Sequence, residues 1–177
     1  MKEKILIMTY SAITVSILFV GGFFIYSLSA TLAVPGGRFI LMAPFLGFVL
    51  YFPLTKFRTY GLISKITGVF ALILSYVNLF MGLAIFSSGL LTDITSFVMF
   101  RKLNKEYKII LTTSLYPLFA TLTSFYVTTY ITHTNFFKFN ALSIYLFMLL
   151  VIFIVLLGLF GSYCGYKLKN RIFYNHK

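Results

Sequence analysis

The sequence predicts an all-α, polytopic membrane protein: one domain, residues 1–177, folded as a bundle of six transmembrane helices. Three observations lead there. Hydrophobic residues make up 60% of the chain and charged ones 10%, with a mean hydropathy of +0.96, whereas a water-soluble domain is about one-quarter charged. The apolar residues fall into six runs separated by charged or turn-forming breaks, and a spanning helix needs roughly 20 such residues. The basic residues alternate between crowded and sparse connections, the pattern that orients helices across a bilayer. Ten-residue stretches of alternating polar and apolar residues, which mark a membrane β-barrel, are missing.

The first segment, 5–27, follows Lys2 and Lys4 and ends near Ser27-Leu28-Ser29-Ala30, which resembles a signal-peptide cleavage site. Its apolar run exceeds the roughly 7–15 residues of a signal core, so it is expected to be retained as a span. The second, 39–54, falls short of the ~30 Å hydrocarbon thickness at a rise of 1.5 Å per residue. It also carries Pro44 and Pro53, which bend or end helices, so an irregular segment is expected. Segments 61–80, 82–100, 109–131 and 141–166 are each long enough, with Pro35-Gly36-Gly37 reading as a turn before the second segment.

The 15 basic residues test this map independently of hydropathy. Lys2 and Lys4, Lys56 and Arg58, Arg101, Lys102, Lys105 and Lys108, and Lys167, Lys169, Arg171 and Lys177 all fall on one side. Only Arg38 and Lys138 fall on the other, and Lys65 lies inside the third segment. Such a split places both termini in the cytoplasm. The same argument assigns the net charge of +12 to membrane orientation and not to nucleic acid, since no basic domain lies outside the spans. A lone Cys164 excludes an internal disulfide, and no Cys/His cluster has metal-ligand spacing.

Ionisable groups inside a bilayer need a partner or a function. Asp93 and Lys65 sit in the same half of neighbouring antiparallel segments, so a structural ion pair between them is expected, with a proton or cation relay as the sharper alternative. Catalysis lacks parts: His133 and His176 fall on opposite sides, Cys164 has no histidine in its span, and no Gly-rich phosphate loop exists. Small residues at four-residue spacing let helices approach in lipid. Ala12 and Ser16 in the first segment, and Gly158, Gly161 and Gly165 in the sixth, are therefore candidates for packing within the bundle or against a partner. Gly47, Gly68, Gly82 and Gly89 are expected to serve contacts within the chain. On the sparsely charged side, Arg38, Asn78, Tyr126, His133 and Lys138 are positioned to hold a small ligand with an apolar ring system and an anionic or acceptor group, although Tyr at an interface also serves as a membrane anchor.

The layout of six short spans with a long first outer connection resembles the substrate-binding membrane subunit, the S component, of energy-coupling-factor vitamin transporters. The stretch Gly82 to Met99 is similar to a Gly-rich run ending in Asp in that family, and Ala12-Ile-Thr-Val-Ser16 resembles its Ala-x-x-x-Ala pair, with Ser in place of the second Ala. The resemblance implies a non-enzymatic subunit of a bacterial cell membrane that binds a micronutrient from outside. It implies further that Ala12 and Ser16 face a scaffold transmembrane subunit, that Arg38, Asn78, Tyr126, His133 and Lys138 lie near the ligand, and that two cytoplasmic ATPases consume ATP, leaving this chain without a cofactor. A second resemblance, of Gly89-Leu90-Leu91-Thr92-Asp93 to a stretch of the cell-shape protein MreD, implies a membrane scaffold with no ligand. Cations and amides on the outer connections favour the transport reading.

Overall fold

The computed structural model describes residues 2–29, 37–131 and 141–174. Among these the regular structure is entirely helical: α1 (Lys2–Ser29), α2 (Gly37–Phe57), α3 (Leu62–Ser75), α4 (Leu79–Phe100), α5 (Glu106–Tyr126) and α6 (Ala141–Tyr174), with a π-helical segment, Val127–Ile131, continuing α5. Five of these helices are long and apolar enough to cross a membrane. The exception is α3, whose 14 residues rise about 21 Å, well short of the hydrocarbon thickness.

Contacts between helices fix their directions. Tyr26 of α1 meets Arg38 of α2 at one end and Tyr10 meets Phe57 at the other, so this pair is antiparallel. The α3–α4 hairpin is antiparallel too: Gly82 lies against Ser75 and Ala71, Gly89 against Thr67, and Asp93 against Ser64. By contrast α2 and α6 run parallel, with Pro44 beside Gly161, Tyr51 beside Gly165 and Thr55 beside Lys169. The first turns of α1, the α2–α3 and α4–α5 connections and the last turns of α6 consequently share one pole. Lys56, Arg58, Arg101, Lys102, Lys105, Lys167 and Lys169 all gather there, and it is called the basic pole below. Helices α2 and α5 are the most enclosed, each packing on several neighbours, while α1 rests on α2 and α3 at the edge.

Two expectations are corrected here. The second segment is not irregular: α2 runs uninterrupted for 21 residues through Pro44 and Pro53. An interior proline costs about 3 kcal/mol in an isolated helix, but here the helix is set by packing on three sides, with Pro53 buried and the Pro44 carbonyl covered by Gly161. The second correction concerns the α3–α4 turn, expected near Met81. The turn occurs at Tyr76–Asn78, because Asn78 adopts an extended backbone and its side chain accepts from the N–H groups of Phe80 and Met81. Asparagine is among the best residues for this N-cap role.

Small residues control how closely the helices approach. A Cβ added at Gly161 would collide with the Pro44 carbonyl, one at Gly47 with the Gly158 carbonyl, and one at Gly158 would sit 2.9 Å from the Pro117 ring. The small face of α6 is thus used within the bundle, in seating α2 and α5. Buried hydroxyls complete the interior: Thr113 donates to Ser162 across the α5–α6 contact at 2.8 Å, and Thr123 reaches the Ala84 carbonyl of α4 at 3.1 Å. With no hydrophobic drive between helices in lipid, such close packing and interhelical hydrogen bonding supply the cohesion.

Gly161→Ala should therefore destabilise the bundle by about 1–3 kcal/mol, the usual cost of overpacking, seen as a lower unfolding midpoint in detergent. Gly68→Ala is the control. Its Cβ would meet the Phe86 ring at an ordinary 3.5 Å, and helix propensity favours Ala by roughly 1 kcal/mol, so its midpoint should hold or rise.

Candidate functional site

At the basic pole, four donors converge on one carboxylate. Glu106 opens α5, where a negative charge suits the helix N-terminus. Its Oε1 receives Arg58 Nη2 at 2.7 Å and Lys169 Nζ at 2.9 Å, and its Oε2 receives the Tyr51 hydroxyl at 2.7 Å and the Thr55 hydroxyl at 3.0 Å. The cluster ties α2, the α2–α3 connection, α5 and α6 together. Arg58 also donates to the Asn104 carbonyl at 2.8 Å, while Lys108 donates to the Phe100 and Lys102 carbonyls, covering the C-terminus of α4. Sequence reasoning placed Glu106 outside the spans and gave it no role.

The ion pairs among the described residues are those of Glu106 with Arg58 and Lys169. Lys65 and Asp93 do not form the expected pair. Asp93 is buried on α4, and α3 presents Ser64 to it in place of Lys65: Asp93 Oδ2 accepts from the Ser64 backbone N–H at 2.7 Å and from its hydroxyl at 2.5 Å. Consecutive helical residues point about 100° apart, which sends Lys65 outward, where it is exposed. Ser64 is the third residue of α3, and Gly61 provides no side-chain cap, so Asp93 caps α3 from the neighbouring helix.

Of the five expected ligand residues, the three that the structure describes, Arg38, Asn78 and Tyr126, are each engaged elsewhere. Arg38 lies over the Tyr26 ring at 4.6 Å and donates to its hydroxyl at 3.1 Å, a cation–π contact that anchors α2 to the end of α1. Asn78 is occupied as the N-cap of α4. Tyr126 stacks on Tyr130 with ring centroids 5.0 Å apart. His133 and Lys138 lie outside the described residues. What the structure does contain near Tyr126 is a groove of about 610 Å³ between α4 and α5, in the half of the bundle away from the basic pole. Leu83, Phe86, Leu90, Phe119 and Leu122 give it apolar walls, Ser87 and Thr123 contribute hydroxyls, and Tyr126, Val127 and Ile131 line its end. No group of three His, Cys, Asp or Glu side chains suited to a metal ion occurs among the described residues.

Ala12 and Ser16 both face outward on α1, whose opposite face buries Thr14, Val15 and Leu18. The Ser16 hydroxyl donates to the Ala12 carbonyl at 3.0 Å, so the exposed face presents no unsatisfied donor to lipid. Of the two small-residue pairs read from the sequence, the one on α6 is consumed by the bundle and the one on α1 is left open.

Large apolar side chains occupy the outward faces of all six helices. Fold and surface together define an all-helical bundle of the membrane-protein class. No family model matches the chain, and neither a curated protein nor a solved structure does.

Glu106→Gln should destabilise the bundle by about 2 kcal/mol, on the scale of hydrogen bonds to charged groups, since it strips the charge from the Arg58 and Lys169 contacts. The loss should appear as a lower midpoint in detergent unfolding. Asn78→Ala should cost about 1 kcal/mol as a lost N-cap, in the same assay.

Proposed function

We propose that this chain is the substrate-specific membrane subunit of an ATP-driven micronutrient importer, binding its ligand from outside and delivering it with partner subunits. In this reading the bundle crosses the bacterial cell membrane six times with the basic pole in the cytoplasm, the orientation that the distribution of Lys and Arg favours. The observation that carries the proposal is the α4–α5 groove. At about 610 Å³ it falls within the roughly 300–1,000 Å³ of small-ligand sites, and it opens in the half away from the basic pole. Its lining suits a ligand with a flat apolar body and one or two polar groups: aromatic and aliphatic walls provide contact area, the Tyr126 hydroxyl is placed to donate, and Ser87 and Thr123, whose protons go to backbone carbonyls, can accept.

The α1 surface supports the partner half of the proposal. Ala12 and Ser16 form a close-approach face that the chain itself does not use, and in this reading it seats on the scaffold subunit whose two cytoplasmic ATPases supply energy. Few charges lie in the membrane-facing region, so movement of the whole bundle against lipid carries little cost in desolvated charge.

Native mass spectrometry of the gently purified protein should reveal a retained small molecule and copurifying ATPase subunits. Ser87→Phe, which fills the groove, should remove the small molecule and leave the partners. Ala12→Leu should do the reverse. Partners without any small molecule would establish the MreD-like scaffold instead, and uptake by the chain reconstituted alone would reject the scheme.

A further inference from the structure

Asp93 carries more than the N-cap of α3. The residue is 7% exposed, and its two carboxyl oxygens have opposite environments. Oδ2 accepts both Ser64 donors, whereas Oδ1 is buried with no hydrogen-bond partner. Ser96, one turn further along α4, buries a hydroxyl that is likewise without a partner, as does Thr112 on α5. No titratable group on the elements packed against α4 forms an ion pair with the carboxyl. Lys65 of α3 is exposed and outside ion-pair distance, and Tyr60, in the α2–α3 connection, stacks edge-on against Phe97. On α5, Lys108 is engaged with backbone carbonyls, and Tyr116 is buried further along the helix.

Magnitudes decide between the two forms of this side chain. An anion here would gain the N-terminal dipole of α3, worth at most about 2 kcal/mol, the nearby Gly61 N–H, the solvent-screened attraction of Lys65, and some strengthening of two hydrogen bonds that a neutral carboxyl accepts as well. Against this stands the desolvation of an ion, several kcal/mol even after relaxation, with one charged oxygen left without a donor. The neutral form leaves an uncharged O–H without an acceptor, a cost of about 1–3 kcal/mol, below that of an unpaired ion.

We propose that Asp93 is a proton-binding site: its side chain is held as the neutral acid, with the proton on Oδ1, and it releases that proton when α3 and α4 part. The same two Ser64 hydrogen bonds that cap α3 would then link the seating of this short helix to proton activity. Loss of the proton places an uncompensated negative charge between α3 and α4, and water entering the hairpin at its basic end is the available means of solvating it.

Asp93 is the sole aspartate in the chain, which makes the test direct. Infrared spectra of the full chain in lipid nanodiscs at neutral pH, with and without ¹³C-aspartate, should show a protonated-carboxyl band that shifts with the label. If only carboxylate bands shift, the proposal fails; a label-sensitive carboxylate band that moves on adding sodium would identify a bound cation in place of the proton. Raising the pH should abolish the protonated band and, in parallel, increase hydrogen exchange in α3 beyond its intrinsic pH dependence. Asp93→Asn, which preserves the acceptor for Ser64, should abolish that excess increase. Exchange in α3 that ignores loss of the band would overturn the link to helix seating.

Discussion

The basic pole depends on Glu106. Four donors from three elements meet on its two oxygens, while Asp93 is committed to α3. Twelve more positive than negative charges repel one another wherever they gather, and the helix ends at this pole carry most of them. A single well-surrounded carboxylate turns two of those charges, Arg58 and Lys169, from a source of repulsion into a clasp. Because Tyr51 and Thr55 lie one turn apart on α2, the clasp also sets that helix's rotation, and with it the side that Pro44 and Gly47 offer to α6.

Above this pole the bundle coheres through proximity. Glycines at the α2–α6 and α5–α6 contacts admit backbone to backbone, and most of the hydroxyls, Ser96 and Thr112 excepted, bond on their own helix or bridge to the next. This interior is suited to lipid surroundings, where apolar side chains gain little by leaving the solvent. It also explains the different standing of α1. That helix contributes a few large side chains, Val15 and Leu18 among them, to the core and leaves its small residues outside.

Much of the fold was legible in hydropathy, and the failures have definite causes. The apolar runs located all six helices, because helix length and composition are local properties. Continuity of α2 was hidden because proline penalties are local while the packing that offsets them is not. The α3–α4 turn was misplaced because Asn78 was read for its chemistry toward a ligand, although an Asn before an apolar run is also an N-cap signal. Pairing Asp93 with α3 was right as to helix and height and wrong by one residue, a 100° error on a helical surface. The Glu106 cluster was out of reach altogether: Thr55 and Lys169 are 114 positions apart, and nothing in either neighbourhood announces the other. Of the expected ligand residues, Arg38 and Asn78 were recognised as unusual for their surroundings but are engaged in holding helix ends, while the α4–α5 groove is lined by residues too ordinary in sequence to stand out.

The parallel contact of α2 with α6 bears on how such a body can deform. Where two backbones touch through glycine, there are no side-chain rotamers to absorb a slide, and a shift of even one ångström drives carbonyl into Cα. These two helices, with α5 wedged behind Gly158, therefore behave as a keel. Shape change is left to the part hung at its edge: the peripheral α1, which rests on α2 and α3 through a few large side chains and can tilt while the keel keeps its form.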